Sequence, residues 1–323
     1  MRTTMRPAAV AAAAVCAAML AGCGSAASSG SAGPSGSASP ASGTAAAASF
    51  PVTIKAANGP VTVKSKPARI VSLSPTSTED LYAVGAGNQV VAVDGDSNYP
   101  PGVPKTSLNG MTPNIEAIAR YNPSLVVAWQ NTGGVVPGLA KLGVPVLLEP
   151  AVSTLDGAYA QIEQIGQATG HAAQAQRLVA SMKEQIAADV RKASGHHDLT
   201  YYWELGANPF FSVASSTFIG QIMRMFGLKD VADAADKASD AGYPEVSEEF
   251  IITSRPQLIF LADNQPSDGG QTPAVVARRP GWSVIPAVQD HEVIPLDDDV
   301  ASRWGPRLPQ LVAQIAQAIE QAP

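Results

Sequence analysis

Two glutamates stand at the same distance before a proline in two similar segments. Glu116 lies seven residues before Pro123 in IEAIARYNPSLVVAW, and Glu249 lies seven residues before Pro256 in EEFIITSRPQLIFLA. In both segments an apolar run follows the proline, which predicts a short helix leading into a buried strand. The chain therefore repeats one helix-to-strand unit and places a carboxylate in each copy.

Both glutamates are expected in a first helical turn. Thr112 and Ser247 are typical N-cap residues, and Pro113 and Glu248 suit the positions that follow an N-cap. A carboxylate in the first turn is stabilised by the helix dipole by about 0.3 to 1 kcal/mol. The pattern alone therefore leaves a purely structural role open for both glutamates.

Residues that could support catalysis are few. Cys16 and Cys23 are the only cysteines, and the chain contains no G-x-S-x-G motif and no glycine-rich phosphate loop. SLSPTS, at the end of the first predicted strand, offers serines without a histidine placed beside them. An α/β hydrolase is therefore a minor alternative, and a secreted, lipid-anchored sensor or scaffold is another.

The histidines do not predict a metal site. His196 and His197 are adjacent in a Gly-His-His-Asp turn, whereas His171 and His291 are distant in the sequence. The acidic run at 297–299 is expected to be a solvated loop. Sites for bare metal ions gather several histidines and carboxylates, so no metal site is expected.

Short β-branched runs alternate with longer segments whose apolar residues recur every three or four positions. In the first half the predicted strands are Arg69 to Leu73, Val90 to Val93, Leu125 to Trp129 and Val144 to Leu148, and the predicted helices are Thr78 to Val84, Pro113 to Arg120 and Val136 to Leu142. In the second half the strands are Leu199 to Glu204, Leu258 to Leu261 and Glu292 to Pro295, and the helices are Phe218 to Phe226, Ser247 to Thr253 and Arg307 to Glu320. This alternation predicts parallel sheets covered by helices, one α/β lobe in each half.

The longest helical pattern lies between the halves, at His171 to Lys192, after a separate helix from Leu155 to Thr169 that ends at Gly170. Its apolar residues recur every four positions, at Leu178, Met182, Ile186 and Val190. At ~1.5 Å per residue this helix is about 33 Å long, roughly the width of a small lobe. It is predicted to connect the lobes as a stiff rod, which implies modest closure around a ligand.

The chain starts with MRTTMRPAAVAAAAVCAAMLAGC, in which arginines precede an apolar run too short for a membrane span and then small residues. The end of this export signal resembles a bacterial lipobox, which predicts a lipoprotein signal peptide at 1–22 and lipid attachment at Cys23. An ordinary cleaved signal is the alternative. Residues 24 to 49 hold no charge and no large apolar side chain, so 23–49 is predicted to be a disordered Gly/Ser/Ala/Pro tether.

About 270 residues remain from Phe50 onward, which is more than a single hydrophobic core usually supports. Two lobes are therefore expected, at 50–153 and 197–323, with connecting helices at 154–196. Loss of the two positive charges of Arg2 and Arg6 with the signal changes the formal net charge from −6 to −8. An acidic body without a lysine or arginine cluster argues against nucleic acid as a partner. Without cysteine, the body has no disulfide or thiol chemistry.

Six segments together carry a family resemblance: RIVSLSPTSTEDLYAVGAGNQVVAVD, SNYPP, NGMTPNIEAIARYNPSLVVAW, GANPFF, YPEVSEEFIITSRPQLIFL and SRWGPR. In this order they resemble the substrate-binding proteins of bacterial ATP-binding-cassette (ABC) importers, in the branch that captures cobalamin, ferric siderophores and haem. The resemblance implies an α/β fold with two Rossmann-like lobes, each with a parallel sheet. It further implies that a single long helix bridges the lobes and that the ligand lies in the cleft between them.

The resemblance also implies partners. In this family an exposed glutamate on each lobe docks onto arginines of the permease, and Glu116 and Glu249 occupy those positions. Charge complementarity of this kind chiefly sets encounter rate and register. The expected partners are an ABC permease dimer with its ATPase and a small-molecule metal chelate, with the membrane reached through the lipid anchor. The protein itself is expected to be a monomeric receptor outside the cytoplasm, not an enzyme.

A large chelate requires flat apolar or aromatic surface with a few polar groups, and ligands of open α/β sheets gather at turns after strands. Such turns carry the candidate ligand-binding residues Tyr99, Trp129, Phe211, Tyr243, Asp299 and Arg303. By resemblance, Tyr99, Trp129, Phe211 and Asp299 match positions that contact cobalamin in the cobalamin-binding members. Tyr243 replaces a tryptophan of those members and keeps an aromatic face. An ion pair of Arg303 with a neighbouring aspartate is an alternative interpretation of that arginine.

Leu108 occupies a further ligand-binding position but departs from the cobalamin-binding pattern, which has tryptophan there. A corrinoid is therefore the first expectation for the ligand, and a ferric siderophore or haem is the alternative. Trp203 and Trp282 are expected to pack in the interior, whereas Trp304 is left open between packing and ligand contact.

Overall fold

The computed structural model describes residues 49–195, 198–266 and 270–323. The predicted signal peptide, nearly all of the predicted tether, Cys23, and the pair His196 and His197 lie outside the described residues. In the described ranges no helix combines the length and the apolar character that crossing a membrane requires.

The described chain begins with an antiparallel hairpin that the sequence pattern did not predict. Strands β1 (Val52–Ala56) and β2 (Gly59–Val63) pair along their full lengths. Gly59 has a φ of +95°, a left-handed conformation that favours glycine in a turn. The side chain of Asn58 donates to Val146 O at 2.9 Å and accepts from Leu148 N at 3.2 Å, which ties the hairpin to the neighbouring sheet.

A parallel sheet forms the centre of the N-terminal lobe. Its strands are β3 (Ile70–Leu73), β4 (Val90–Val93), β5 (Leu125–Ala128) and β6 (Val146–Leu148), in the order β4-β3-β5-β6. The helices between them are α1 (Pro75–Ala83), α2 (Ile115–Ala119) and α3 (Val135–Lys141). Strands β3 and β5 are buried at every position, as expected for parallel strands covered on both faces. The strands and helices predicted for the first half are confirmed to within a few residues at each end.

Two helix starts differ from the sequence prediction. Helix α1 begins at Pro75 rather than Thr78, because the Ser74 side chain accepts from Ser77 N and the proline suits the first turn. The predicted N-cap Thr112 of α2 is wrong. Asn114 is the N-cap, and its side-chain oxygen accepts from Ala117 N at 2.9 Å.

Two long helices follow the N-terminal lobe. Helix α4 (Leu155–Thr169) ends at Gly170, whose φ of +78° is left-handed, and α5 (Ala172–Lys192) follows at once. The fully buried stripe of α5 consists of Ala175, Val179, Met182 and Ile186, whereas Leu178 and Val190 are half-buried. The predicted apolar stripe is thus confirmed at Met182 and Ile186, whereas its two ends, Leu178 and Val190, are only half-buried.

The C-terminal lobe contains a parallel sheet and a small antiparallel sheet. The parallel strands are β7 (Thr200–Glu204), β10 (Lys229–Asp230), β12 (Leu258–Leu261) and β13 (Val293–Pro295), in the order β10-β7-β12-β13. The antiparallel strands are β8 (Gly206–Ala207), β9 (Phe210–Phe211) and β11 (Glu245–Val246), in the order β11-β9-β8. The helices are α6 (Phe218–Met225), α7 (Glu248–Ser254), α8 (Pro273–Val276), α9 (Pro286–Gln289), α10 (Asp298–Ser302) and α11 (Leu308–Gln321).

Helix α5 joins the two lobes into one packed body. It contacts α4 on the side of the N-terminal lobe and α11 on the side of the C-terminal lobe. One continuous apolar core runs from Ile54 and Leu81 through Met182 to Trp203 and Ile315. Because this core extends from one lobe into the other, a wide hinge motion would break apolar packing. The fold is therefore the predicted two-lobed α/β architecture bridged by a long helix.

Candidate ligand-binding cleft

A cavity of about 420 Å³ is lined by residues of both lobes. The N-terminal lobe contributes residues that follow β3, β4 and β5, including Ser74, Asp94 and Trp129, and the C-terminal lobe contributes residues 298–304 after β13. Ligands of parallel α/β sheets bind outside the carboxyl ends of the strands, and this cavity lies there in both lobes. A second groove of about 370 Å³ between β2 and β6 has no aromatic lining, so it is a poorer candidate for a flat ligand.

Two tryptophans line the cavity, one from each lobe. Trp129 Nε1 donates to Gly110 O at 3.2 Å, and Trp304 Nε1 donates to Gln161 Oε1 at 2.9 Å. The Gln161 amide in turn donates to Pro150 O at 2.7 Å. These bonds satisfy the polar atom of each indole and leave its apolar surface to line the cavity. Trp304, left open between packing and ligand contact, both lines the cavity and packs against the apolar core.

A buried ionic network connects the lobes beside this cavity. Glu79 of α1 is completely buried, and its Oε1 accepts from Arg303 Nη1 at 2.8 Å. Arg307 donates to the same carboxylate twice, through Nε at 2.8 Å and through Nη2 at 2.6 Å. Both arginines belong to the C-terminal lobe, so one carboxylate of the N-terminal lobe holds two cations across the interface. Such charge-assisted bonds are stronger than neutral ones.

Polar side chains extend this network to the cleft surface. Arg303 Nη2 donates to Asp299 Oδ1 at 2.5 Å and to Asp96 O at 3.2 Å, and Arg303 Nη1 also donates to Asn98 Oδ1 at 2.8 Å. Asn98 Nδ2 donates to Asp299 Oδ2 at 2.7 Å. The predicted alternative for Arg303, an ion pair with a neighbouring aspartate, is confirmed. The same guanidinium also pairs with Glu79, which the sequence did not indicate.

A chain of buried hydroxyl groups ends on the carboxylate of Asp94, which lines the cavity. Thr78 Oγ1 lies 2.9 Å from Ser72 Oγ and 2.8 Å from Ser97 Oγ, and the Ser97 hydroxyl donates to Asp94. Burial raises the pKa of Asp94 to about 6, although the Ser97 hydrogen bond acts in the opposite direction. Asp94 is therefore mostly ionised at neutral pH, and small environmental changes would alter its charge.

Gly110 allows a close approach at the edge of the cavity. A Cβ atom at this position would lie 2.6 Å from Asp94 Oδ2 and 2.6 Å from Leu73 O, closer than real Cβ contacts. The backbone of Leu73 cannot move away as a flexible side chain could. A side chain at position 110 would therefore displace either the strand end or the carboxylate.

Two further carboxylic acids are buried beneath the network. Burial raises the pKa of Glu149 to about 8, and burial together with the neighbouring carboxylates of Glu149 and Glu79 raises the pKa of Asp80 well above its usual value. Asp80 Oδ1 and Glu149 Oε1 have no hydrogen-bond partner in the described part of the chain. Glu149 is therefore expected to be protonated near pH 7, and the raised pKa of Asp80 favours its neutral form in the same way, which limits the number of like charges beside Glu79.

The antiparallel sheet and the turn that precedes β11 each expose one predicted ligand-binding residue to solvent. The side chain of Phe211 is 37% exposed and that of Tyr243 is 50% exposed. Neighbouring Phe210 instead packs inward, 5.8 Å from the Trp282 ring and 5.2 Å from the Arg279 guanidinium. Because the side chains of successive strand residues point to opposite faces, the inward packing of Phe210 directs Phe211 outward.

The structure brings three of the seven predicted ligand-binding residues into the cavity wall, namely Trp129, Asp299 and Arg303. Tyr99 lies next to them, because its ring stacks 4.4 Å from the Arg307 guanidinium. Phe211 and Tyr243 are not part of this cavity wall. Leu108 is 7% exposed and packs in the core of the N-terminal lobe, and its backbone pairs with Asp94 beside the cleft.

Both repeated glutamates are exposed at the starts of their helices. Glu116 is in the first turn of α2, and Glu249 is in the first turn of α7, where the predicted N-cap Ser247 accepts from Phe250 N at 3.1 Å. Neither carboxylate forms an ion pair with a described residue. In a parallel sheet the helix starts lie at the same edge as the carboxyl ends of the strands. Both glutamates are therefore placed at the cleft edge of their lobes.

Several site residues were missed at the sequence level. Asp94 and Asp96 follow the predicted strand Val90 to Val93 directly, so the rule that selected Tyr99 could also have selected them. Glu79 lies on α1 and Arg307 directly precedes α11, 228 residues further along the chain, and no local pattern indicates that they meet. In the described ranges no group of three or more His, Cys, Asp or Glu residues could hold a metal ion.

The fold and the cleft define a two-lobed α/β binding protein whose lobes are held together by a long helix. The chain belongs to the family described as periplasmic binding protein, and the family model matches residues 70–300.

Individual relatives agree with this assignment. A Bacillus subtilis (strain 168) protein described as an uncharacterized ABC transporter substrate-binding lipoprotein, YvrC, is 32% identical over 96% of this chain and 95% of its own length. A vitamin B12-binding protein of Pectobacterium atrosepticum is 30% identical over 78% of this chain and 89% of its own length. The crystal structure of the periplasmic vitamin B12-binding protein BtuF of Vibrio cholerae matches with a TM-score of 0.66 and 26% identity, covering 80% of this chain and 98% of that chain.

Proposed function

We propose that this protein is the extracytoplasmic substrate-binding component of an ABC importer and that it captures a metal chelate, in the first instance a corrinoid. The observation that carries this proposal is the cavity at the carboxyl ends of both sheets, lined by Trp129 and Trp304 from opposite lobes. Indole surface combined with a few fixed polar groups suits a flat ligand edged with amides.

Cobalamin-type ligands are supported by the relatives that are named as vitamin B12-binding proteins. Trp129 and Asp299 line the cavity, Tyr99 stands beside it, and Phe211 and Tyr243 offer exposed aromatic surface from the C-terminal lobe. A cavity of about 420 Å³ holds part of such a ligand, and these aromatic side chains would cover the rest. A ferric siderophore or haem is the second candidate, because Leu108 replaces the aromatic residue of the cobalamin-binding pattern.

Delivery to the permease is the second part of the proposal. Glu116 and Glu249 each offer an exposed carboxylate at the cleft edge of one lobe, without an ion pair to any residue that the structure describes, and so are suited to arginines of a permease dimer. The continuous core that includes the buried face of α5 holds the two lobes, and hence the two carboxylates, at a nearly fixed spacing. A lipid on Cys23 would hold a monomer at the outer face of the cell membrane, with lobes at 50–153 and 197–323 joined by 154–196.

Tryptophan fluorescence tests ligand capture directly. Cobalamin, haem and ferric siderophores absorb light and should quench Trp129 and Trp304, so titration of the purified protein should give a saturable loss of emission. Trp129→Phe should reduce the amplitude of this ligand-induced loss of emission. Trp203→Phe is the control that should retain it, because Trp203 is fully buried in the core. The absence of a saturable change with every chelate would overturn the proposal, and turnover of ester or phosphate substrates would favour an enzyme instead.

A further inference from the structure

The charged side chains that line the cavity are mostly of one sign. They comprise four carboxylates, on Asp94, Asp96, Asp298 and Asp299, and one guanidinium, on Arg303. The cavity itself is identified by its position between the sheets and by its two indoles, and the carboxylates bear only on which ligand fits. A ligand group with negative charge would therefore depend on Arg303 for a partner.

Both terminal nitrogens of Arg303 are already engaged. They donate to Glu79, Asn98, Asp299 and the carbonyl of Asp96, at 2.8, 2.8, 2.5 and 3.2 Å. A terminal guanidinium nitrogen carries a pair of hydrogens, so these acceptors use all of them. The side chain is 8% exposed, and its positive charge is matched by the carboxylates of Glu79 and Asp299.

Arg307 does not supply the missing cation. Its Nε and Nη2 atoms donate to Glu79, and its guanidinium lies 4.4 Å from the Tyr99 ring centre. It is nearly buried and is not part of the cavity wall. Both arginines near the cleft therefore act on Glu79 and hold the lobes together.

Two carboxylates of the wall remain available to a ligand. Asp96 is exposed, and its carboxylate forms no hydrogen bond or ion pair with any described residue. Asp94 is bonded through its carboxylate to the Ser97 hydroxyl, and its pKa of about 6 leaves it charged at neutral pH. Asp298 is different, because its oxygens accept from Asn264 N at 3.1 Å and Gln265 N at 3.0 Å.

We propose that the cleft selects chelates with a neutral or positively charged periphery, such as amide-bearing corrinoids or hydroxamate complexes, and rejects those edged with carboxylates or catecholates, such as haem. An anionic group entering the cleft would lose hydration without gaining a cation, and it would face Asp94 and Asp96. This inference rests on the proposed function and makes it more specific, because it separates the corrinoid and hydroxamate candidates from haem.

Graded changes of charge at Asp96 test the proposal. The probes are aquacobalamin and ferrioxamine, which are cationic, cyanocobalamin, which is neutral, and haem and a ferric tris-catecholate, which are anionic. Wild-type protein should bind at least one cationic or neutral probe at least tenfold more tightly than either anionic probe, measured by tryptophan quenching. Asp96→Asn and then Asp96→Lys should strengthen binding of the anionic probes stepwise, by about tenfold for each step at low salt, and weaken binding of the cationic probes.

Glu184→Gln is the matched control for net charge, because Glu184 is exposed on α5 and does not line the cavity. It should leave every affinity unchanged. The proposed selectivity would be overturned if haem or the catecholate complex bound as tightly as every cationic and neutral probe. It would also be overturned if neither Asp96 variant changed the affinities for the anionic probes. Either result would leave chelate capture intact. Absence of binding of every probe would overturn both the selectivity and the proposed function.

Discussion

Glu79 and Arg303 belong to different lobes, and Glu79 Oε1 lies 2.8 Å from Arg303 Nη1 in a contact where the side chains are 0% and 8% exposed. The same carboxylate binds Arg307 at 2.6 Å. A carboxylate removed from water needs its cations, so this contact couples the integrity of the cleft to the stability of the fold. It also keeps Arg303 from serving as a free anion receptor.

Removal of the Glu79 charge should be costly. Glu79→Gln leaves two buried guanidinium groups without their shared carboxylate, so the free energy of unfolding should fall by about 3 to 5 kcal/mol. Glu320→Gln is the control, because its pair with Lys192 at 3.1 Å is largely exposed and worth at most about 1 kcal/mol. Chemical denaturation measures the free energy of unfolding of both variants. Equally small losses of stability in the two would show that the inter-lobe network contributes little.

Charge reversal at the two exposed glutamates should separate transport from binding. Glu116→Arg combined with Glu249→Arg should abolish uptake in cells, since the cationic side chains that replace the two carboxylates of the proposed docking pair would repel permease arginines. Ligand affinity of the purified double variant should stay within about twofold of the wild type. Glu184→Arg with Glu320→Arg gives the same change in net charge elsewhere and should preserve uptake. Loss of ligand affinity in the first variant would argue that these residues act on the cleft instead.

Glu149 should make stability depend on pH. Its folded pKa of about 8 lies above the unfolded value of about 4.5, so the folded state retains a proton that the unfolded state loses. This contribution to stability is fully present below about pH 4.5 and is lost as the pH rises through 8. Glu149→Gln should therefore stabilise the protein by about 1 to 3 kcal/mol at pH 7 and change little at pH 4.5. Urea denaturation at both pH values measures the difference, and an equal effect at both would contradict the raised pKa.

The edge of the cavity should not tolerate a side chain at Gly110. Gly110→Ala would place a Cβ atom 2.6 Å from both Asp94 Oδ2 and Leu73 O, so ligand affinity should fall by at least about tenfold. Gly95→Ala is the control from the same region, because its nearest contact would be an ordinary 3.7 Å. Calorimetric titration compares the two variants. Equal affinities for the two would show that the Asp94 position is unimportant for the ligand.

The alternation of strands and helices was predictable because its signals are local. Buried strands such as Leu258–Leu261 appear as apolar runs, and Ser247 marks the start of its helix by its own chemistry. The hairpin at 52–63 is absent from the sequence prediction because its strands are buried only at alternate positions and so form no continuous apolar run. The Thr112-Pro113 pair resembles the start of a helix, whereas Asn114 lies nearer the helix and its side chain accepts the free N–H of Ala117.

The cleft was predictable only in part. Trp129 and Asp299 follow strands, and position after a strand is visible in the sequence. The role of Glu79 depends on tertiary contacts with residues more than 200 positions away, and a local sequence pattern does not indicate such contacts. The burial of Leu108 likewise depends on neighbours from other strands and helices.

The measurement that tests corrinoid capture most directly is the identity of the molecule that copurifies with the protein from its native cells, determined by absorption spectrum and mass. We predict a corrinoid with amide side chains that added cyanocobalamin displaces in equilibrium dialysis. A copurified sugar, amino acid or peptide, together with no measurable binding of added cobalamin, would contradict this function.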